Sequence, residues 1–147
     1  MPRILLVNGP NLNKLGEREP EMYGRDTLAD IEKKCQDAAK TLGLALDCVQ
    51  SNHEGEIVTH VQRAGKEYDG LLINGGGDTH TSIAIMDALL TVKIPVIEVH
   101  LSNPARREEF RHISYISKAA TGVIAGFGAE SYLLALEAMA KLVARGA

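Results

Sequence analysis

Short runs of apolar and β-branched residues alternate along this chain with segments whose apolar positions recur at helical spacing. Such runs are typical of strands buried on both faces, and their alternation with helices is typical of βαβ units in a parallel sheet. The pattern predicts strands over residues 3–8, 44–50, 70–74, 95–100 and 122–126.

The gaps between these runs predict helices. The first begins at a Thr27 cap, with Asp30 completing a capping-box pattern, and ends at Gly43. Others follow over residues 57–68, 82–92 and 129–145, with a short charged helix after Pro104. The predicted fold is an α/β, flavodoxin-like arrangement, which is an open five-stranded parallel sheet with helices on both faces.

Composition limits the class of protein. With 147 residues, 45% of them hydrophobic, the chain predicts one domain over 1–147, since a (β/α)₈ barrel needs about 250 residues. A net charge of −3 and the absence of Trp disfavour a nucleic-acid partner. No apolar run resembles a signal peptide or a membrane span, so we expect a cytoplasmic protein without a membrane partner. Cys35 and Cys48 are expected to be ordinary buried thiols.

Polar residues follow four of the predicted strands, in the segments 8–11, 50–54, 74–80 and 98–103. In open parallel sheets ligands bind outside the carboxyl ends of the strands. Turns rich in Asn and Gly are an alternative explanation for any single strand end. All four together predict a polar cleft for a small molecule.

The connection over residues 9–25 is about seventeen residues long, well beyond the usual two to six of a βα loop. We expect it to act as a lid, and it carries Arg18 and Tyr23. A free tyrosine has a pKa near 10, so a tyrosine base needs a cation beside it. The spacing of Arg18 and Tyr23 permits such a contact without requiring it, and a solvated loop is the alternative.

Glu98 and His100 lie two residues apart on a predicted strand, so their side chains share one face. A carboxylate beside an imidazole orients the ring and favours its charged form, which makes His100 a candidate general acid. A core histidine bonded to a carbonyl is the alternative. The amides after His100 are candidates for an anion nest, which Arg107 and Arg111 would support from one helix face.

Neither a nucleotide-binding glycine pattern nor an HExxH metal pattern can be placed in the chain. We therefore expect no metal and no cofactor.

The third helix carries more apolar residues than one buried stripe needs, namely Ile83, Ile85, Met86, Leu89 and Leu90. The surplus predicts a contact between subunits.

Several motifs together resemble one enzyme family, the type II 3-dehydroquinate dehydratases. They are GPNLNKLGEREPEMYG (9–24), QSNHEGE (50–56), THTS (79–82), EVHLSN (98–103) and REEFRH (107–112), and the likeness spans nearly the whole chain. The resemblance implies a hydro-lyase of the shikimate pathway, in aromatic amino acid biosynthesis, that converts 3-dehydroquinate to 3-dehydroshikimate. It also implies a flavodoxin-like domain, no cofactor, and a homododecamer built as a tetramer of trimers.

The resemblance assigns five catalytic roles. Tyr23 is similar to the base that removes the C2 proton as a tyrosinate, and Arg18 to the lid residue that favours its ionisation. His100 matches the acid that protonates the departing C1 hydroxyl, with Glu98 as its partner. Asn11 matches the residue that holds a water against the enolate.

Six further positions match substrate-binding residues of that family. Asn74, His80 and Arg111 match ligands of the substrate hydroxyls, and the amides of Leu101 and Ser102 match the carboxylate nest. Asp87 matches a residue that reaches a neighbouring subunit's site.

The chain departs from the usual pattern of the family at Gly75, Asp78, Pro104 and Ile113. Gly75 is expected to loosen the loop after the third strand, and an inward-pointing Asp78 would weaken binding of an anionic substrate. Two alternatives to the enzyme are a binding or signalling module of the same fold and an inactive homologue kept for assembly. The module would need an acidic phosphoacceptor cluster, whereas the first and third strands end in Asn8 and Asn74.

Overall fold

The described residues of the computed structural model, 1–17 and 19–146, contain one five-stranded parallel sheet. Its strands are β1 (Arg3–Asn8), β2 (Ala45–Gln50), β3 (Gly70–Asn74), β4 (Val96–His100) and β5 (Gly122–Ala125). They are ordered β2-β1-β3-β4-β5, and each neighbouring pair is parallel. This order is that of the flavodoxin-like fold and confirms the predicted class.

In the described part of the chain, five α-helices connect and follow the strands: α1 (Pro20–Tyr23), α2 (Leu28–Leu42), α3 (Glu54–Glu67), α4 (Ile83–Leu90) and α5 (Glu130–Arg145). The predicted start of α2 is confirmed, because Thr27 Oγ1 accepts the Asp30 amide at 3.1 Å and the Asp30 carboxylate accepts the Thr27 amide at 3.0 Å. Its end is confirmed as well, since Gly43 adopts φ 76°, a left-handed conformation that favours glycine.

The helices cover the sheet in two layers, each with its own apolar core. Side chains of α2 and α5 pack on one face with Ile97 and Val99, whereas those of α3 and α4 pack on the other with Val96. Because side chains alternate along a strand, Glu98 and His100 share the face of Val96. The expected common face of Glu98 and His100 is thus confirmed.

The segment after Pro104 is not the single short helix that we predicted. It forms two 3₁₀ turns, Pro104–Arg106 and Glu109–Arg111. Arg107 separates them with an extended backbone, at φ −105° and ψ −166°. Arg107 and Arg111 therefore do not share a helix face, although both side chains reach the same cleft.

The long connection over 9–25 contains regular structure in its described part. Leu12–Lys14 forms a 3₁₀ turn, and α1 precedes Gly24. Leu12 and Leu15 are buried in the core between the sheet and α2. The amino-terminal half of the connection is thus anchored to the domain through apolar side chains.

Both cysteines are free, Cys35 buried and Cys48 half-buried. Burial raises the pKa of each thiol to about 12, so both stay protonated at neutral pH. This agrees with the expectation of unreactive thiols. Within the described chain, no helix combines the length and the apolar character that crossing a membrane requires.

Candidate active site

A cleft of about 200 Å³ opens at the carboxyl ends of β1, β3 and β4. This is the edge at which the sequence predicted a ligand site, although the predicted segment 50–54 after β2 is not among the lining residues. Eight of the predicted site residues line it: Asn11, Tyr23, Asn74, His80, His100, Leu101, Ser102 and Arg111. The loops after β1 and β3 meet backbone to backbone beside the cleft, where Gly9 N donates to Asn74 O at 2.8 Å.

His100 and Glu98 form a buried pair at the end of β4. The Nε2 atom of His100 donates a hydrogen bond to Glu98 Oε2, and Glu98 is only 1% exposed. Burial raises the pKa of Glu98, but hydrogen bonds from His100, Ser117 and Ser114 outweigh it, so the pKa lies below its usual value. The pair therefore holds the imidazole in a fixed orientation at the wall of the cleft.

His80 also lines the cleft and lies in the 3₁₀ turn Gly76–His80 that follows β3. Its Nδ1 donates to the Ile113 carbonyl at 2.8 Å. Burial lowers the pKa of His80, and the nearby His100 and Arg111 charges lower it further. The ring is consequently neutral at pH 7, with Nε2 as an acceptor for a hydroxyl. Only the backbone of Ile113 takes part, so this contact does not depend on the side chain there.

The side chain of Asn74 forms hydrogen bonds with residues that the sequence did not single out. Its Nδ2 donates to Tyr132 Oη at 2.9 Å, and its Oδ1 accepts the Gly76 amide at 3.1 Å. Tyr132 is fully buried in α5 and donates in turn to Asn8 Oδ1 at 2.6 Å. The orientation of the Asn74 amide is thus set by α5, 58 residues further along the chain.

Arg107 places a cation against the predicted base. Its guanidinium carbon lies 5.1 Å from the centroid of the Tyr23 ring, and its Nη1 donates to Ser102 Oγ at 3.4 Å. Its side chain is 9% exposed. The buried Nε has no hydrogen-bond partner among the described residues. The Arg107 Nε lies 3.8 Å from Glu108 Oε1 and its Nη2 lies 3.9 Å from Glu19 Oε2. Arg107 is therefore an ion-paired cation of the cleft, which the sequence assigned only to the anion nest.

Two predicted site residues within the described part of the chain do not line the cleft of their own chain. Glu98 lies beneath His100 rather than at the surface of the cleft. Asp87 is exposed on α4. Arg18 lies outside the described residues. Asn11, with φ 70°, is placed at the cleft, and its amide donates to Asn52 Oδ1 at 3.0 Å.

Two of the departures, Gly75 and Asp78, lie in the turn after β3. Gly75 is tightly packed, since a Cβ there would come within 2.4 Å of Ile116 Cδ1. Asp78 is half-buried and is not among the residues that line the cleft, and its Oδ2 is buried without a hydrogen-bond partner among the described residues. Burial and the charge of Glu54 raise the pKa of Asp78. The effects of Gly75 on the loop and of Asp78 on substrate affinity stay predictions.

Over residues 1–17 and 19–146, no group of three His, Cys, Asp or Glu side chains is arranged to hold a metal ion. The polar groups that do converge are a phenol beside a guanidinium, a histidine paired with a carboxylate, and a neutral histidine. This set can supply a base, an acid and hydroxyl ligands to an anionic small molecule.

Comparison with known proteins identifies the family of this chain. A family model described as dehydroquinase class II matches residues 2–140. A protein of Variovorax paradoxus named 3-dehydroquinate dehydratase is 52% identical over 144 residues, covering 95% of this chain and 99% of its own. Another of that name, from a Caulobacter strain, is 56% identical over 140 residues, or 95% of each chain. The crystal structure of type II dehydroquinase from Propionibacterium acnes superposes with a TM-score of 0.93 at 41% identity, covering 96% of this chain and 97% of that one. The chain therefore belongs to the class II dehydroquinase family.

Proposed function

We propose that this protein is a hydro-lyase that dehydrates 3-dehydroquinate to 3-dehydroshikimate by anti elimination through an enolate. Tyr23 is the base and His100 is the acid. The observation that carries the proposal is that a tyrosine contacted by a guanidinium and a histidine paired with a carboxylate line the same cleft. Family membership supports the same reaction.

The first step removes the C2 proton of the substrate, and the electron pair of the C–H bond enters the enolate. Tyr23 takes the proton as a tyrosinate. The Arg107 guanidinium carbon lies 5.1 Å from the centroid of the Tyr23 ring and places a cation beside the base. Arg18 adds a second cation in this proposal. Asn11 and a water stabilise the enolate oxygen.

The second step breaks the bond between C1 and its hydroxyl. His100 gives its proton to the departing oxygen, so that water leaves and the enolate collapses to the conjugated enone. Glu98 accepts the Nε2 hydrogen bond throughout, which keeps the imidazole ring oriented for the transfer. Before the next turnover, Tyr23 releases its proton to solvent and His100 takes up a proton from solvent.

Substrate binding uses the remaining residues of the cleft. The amides of Leu101 and Ser102 form the carboxylate site, and the Arg107 charge beside Ser102 supports it. Asn74, His80 and Arg111 bind the ring hydroxyls, His80 as an acceptor through its free Nε2. This set recognises a polyhydroxylated carboxylate without a cofactor.

The proposal is tested by turnover of 3-dehydroquinate after the protein has been treated with a chelator. We expect the absorbance of the conjugated enone to rise at the rate of untreated protein, because the reaction needs no metal. Loss of activity that a divalent ion restores would refute the cofactor-free reaction. Tight binding without turnover would instead favour the binding module or the inactive homologue.

The connection over residues 9–25 is proposed to close as a lid when substrate binds. Gly16, at φ 90° in the middle of the connection, and Gly24, at φ 86° near its end, are positions where backbone rotation meets little steric resistance. Trypsin should cleave the free protein after Lys14 or Arg18, and a carboxylate analogue of the substrate should protect it. Equal cleavage rates with and without saturating analogue would argue against closure.

We propose that the protein is a cytoplasmic homododecamer, a tetramer of trimers, in which Asp87 reaches a neighbouring site. Ile83 and Leu90 on α4 are 53% and 60% exposed, and with Asp87 they follow helical spacing on one face. Light scattering should show a species far heavier than the 15.9 kDa chain. A fully active monomer at the assay concentration would refute the assembly.

Asp87 can be tested separately by coexpression of Asp87→Ala and Tyr23→Phe chains. A site that combines an intact Tyr23 with a neighbour's intact Asp87 should regain activity that neither variant has alone. No recovery in a mixed oligomer would remove Asp87 from the neighbouring site.

A further inference from the structure

The buried carboxylate of Glu98 has hydrogen-bond donors on both of its oxygens. Oε2 accepts from His100 Nε2 and from Ser114 Oγ, the latter at 2.7 Å, and Oε1 accepts from Ser117 Oγ. Both serines belong to the connection between the 3₁₀ turn Glu109–Arg111 and β5. Neither lines the cleft, so they cannot act on the substrate directly.

Apolar residues lie on both sides of Glu98 in the sheet and above it in the core layer. Its register partners on the neighbouring strands are Ile73 and Val123. Ile116, which lies between the two serines in the sequence, is fully buried in the same core layer. An ionised carboxylate in such a place is costly unless hydrogen bonds compensate for lost water. Ser114 and Ser117 supply two of the three donors that the structure shows.

The two serines are themselves held in place. Ser114 Oγ accepts the Ser117 amide at 3.0 Å, which leaves its own O–H proton for Glu98. The Tyr115 amide donates to Thr79 O at 2.9 Å and ties the segment to the turn after β3. The hydroxyls are therefore presented to Glu98 by a backbone anchored on both sides.

We propose that Ser114 and Ser117 are positioning residues for the acid of the reaction. They keep Glu98 ionised and aimed at Nε2 of His100, so that the imidazolium is available at the cleft. The catalytic part of this inference rests on the proposed function. Without the hydroxyls, Glu98 would take up a proton more readily and would lose its fixed orientation, and His100 would lose the anion that stabilises its charged form.

The charged and titratable groups that face Glu98 come from two elements. They are His100 on β4 and His80 in the turn after β3, and Arg111 in the 3₁₀ turn Glu109–Arg111 acts on His80. On α4, which packs on the same sheet face, Asp87 is exposed. None of these groups changes when a serine is replaced, so a change in the titration of Glu98 reports on the serine hydroxyls.

The direct test is to follow the Glu98 carboxyl carbon by NMR across a pH titration of the free protein. In Ser114→Ala, Ser117→Ala and the double variant, the midpoint should move upward, furthest in the double variant. Ser131→Ala is the matched control, because Ser131 is fully buried but accepts the Phe127 amide away from Glu98. An unchanged midpoint in the double variant would overturn the inference. This readout does not depend on the substrate.

The catalytic test is a comparison of kcat with KM. Each alanine variant should lose roughly tenfold in kcat, which corresponds to the lower value for a hydrogen bond to a charged group. KM should be nearly unchanged. The acidic limb of the profile of kcat against pH should move to higher pH. Ser117→Thr keeps a hydroxyl and should restore most of the rate.

A double-mutant cycle separates this role from a general structural one. In a Glu98→Gln background, the serine substitutions should cost little more, because they act through Glu98. A full and additive loss there would overturn the inference. If the wild-type protein does not convert 3-dehydroquinate, the proposed function fails, and the NMR titration still decides the role of the serines.

Discussion

Replacing Tyr23 by Phe is expected to lower kcat for 3-dehydroquinate by at least about 100-fold, the lower end of general-base contributions. The substitution removes the only atom of Tyr23 that can accept the C2 proton. It keeps the aromatic ring, and with it the contact to the Arg107 guanidinium at 5.1 Å. Because packing in the cleft is preserved, KM should change much less than kcat. Steady-state kinetics over a range of pH provide the measurement.

Tyr68→Phe is the matched control for this experiment. Tyr68 also contacts a guanidinium, since Arg3 lies 4.5 Å from its ring, and its hydroxyl donates to Asp47 at 2.6 Å. It belongs to the core beneath α3 and does not line the cleft. The control should change stability but not kcat. Near-wild-type turnover by Tyr23→Phe would remove Tyr23 from the role of base.

The fold was predictable because parallel strands buried on both faces leave a clear apolar pattern. The five runs gave the five strands, and the capping residues Thr27 and Gly43 placed the ends of α2. The strand-end rule then located the cleft, since β1, β3 and β4 deliver their following residues to one edge. The pairing of Glu98 with His100 followed from the two-residue period of a strand.

The supporting contacts could not be predicted, because they join residues that are distant in sequence. Tyr132 reaches Asn74 from α5, and Ser114 and Ser117 reach Glu98 from the connection before β5. No periodicity relates such positions. A spacing of three between the two serines is common in solvated turns, and only the tertiary fold distinguishes this case.

One error has a local cause. The extended backbone of Arg107 interrupts the expected helix after Pro104, and its side chain then lies over Tyr23. The direction of this side chain depends on a single turn, which composition does not specify. The position of Arg18 relative to Tyr23 stays a prediction.

Replacing His100 by Asn is expected to lower kcat for dehydration by roughly 10²- to 10⁴-fold, the range of a general acid. Asparagine can still donate a hydrogen bond to Glu98, so the buried carboxylate keeps a partner, but it cannot give a proton to the leaving hydroxyl. Enolate formation at C2 depends on Tyr23 and should continue. The variant should therefore separate the two steps of the reaction.

The separation can be measured by NMR in deuterated buffer. With His100→Asn, deuterium should enter C2 of 3-dehydroquinate faster than product forms, because the enolate returns to substrate when the hydroxyl cannot leave. His60→Asn on α3 is the control, since His60 contacts Arg63 and lies outside the cleft, and it should leave both rates unchanged. Equal losses of exchange and dehydration in His100→Asn would mean that His100 acts before the C–O bond breaks, and its role as the acid for the leaving group would have to be abandoned.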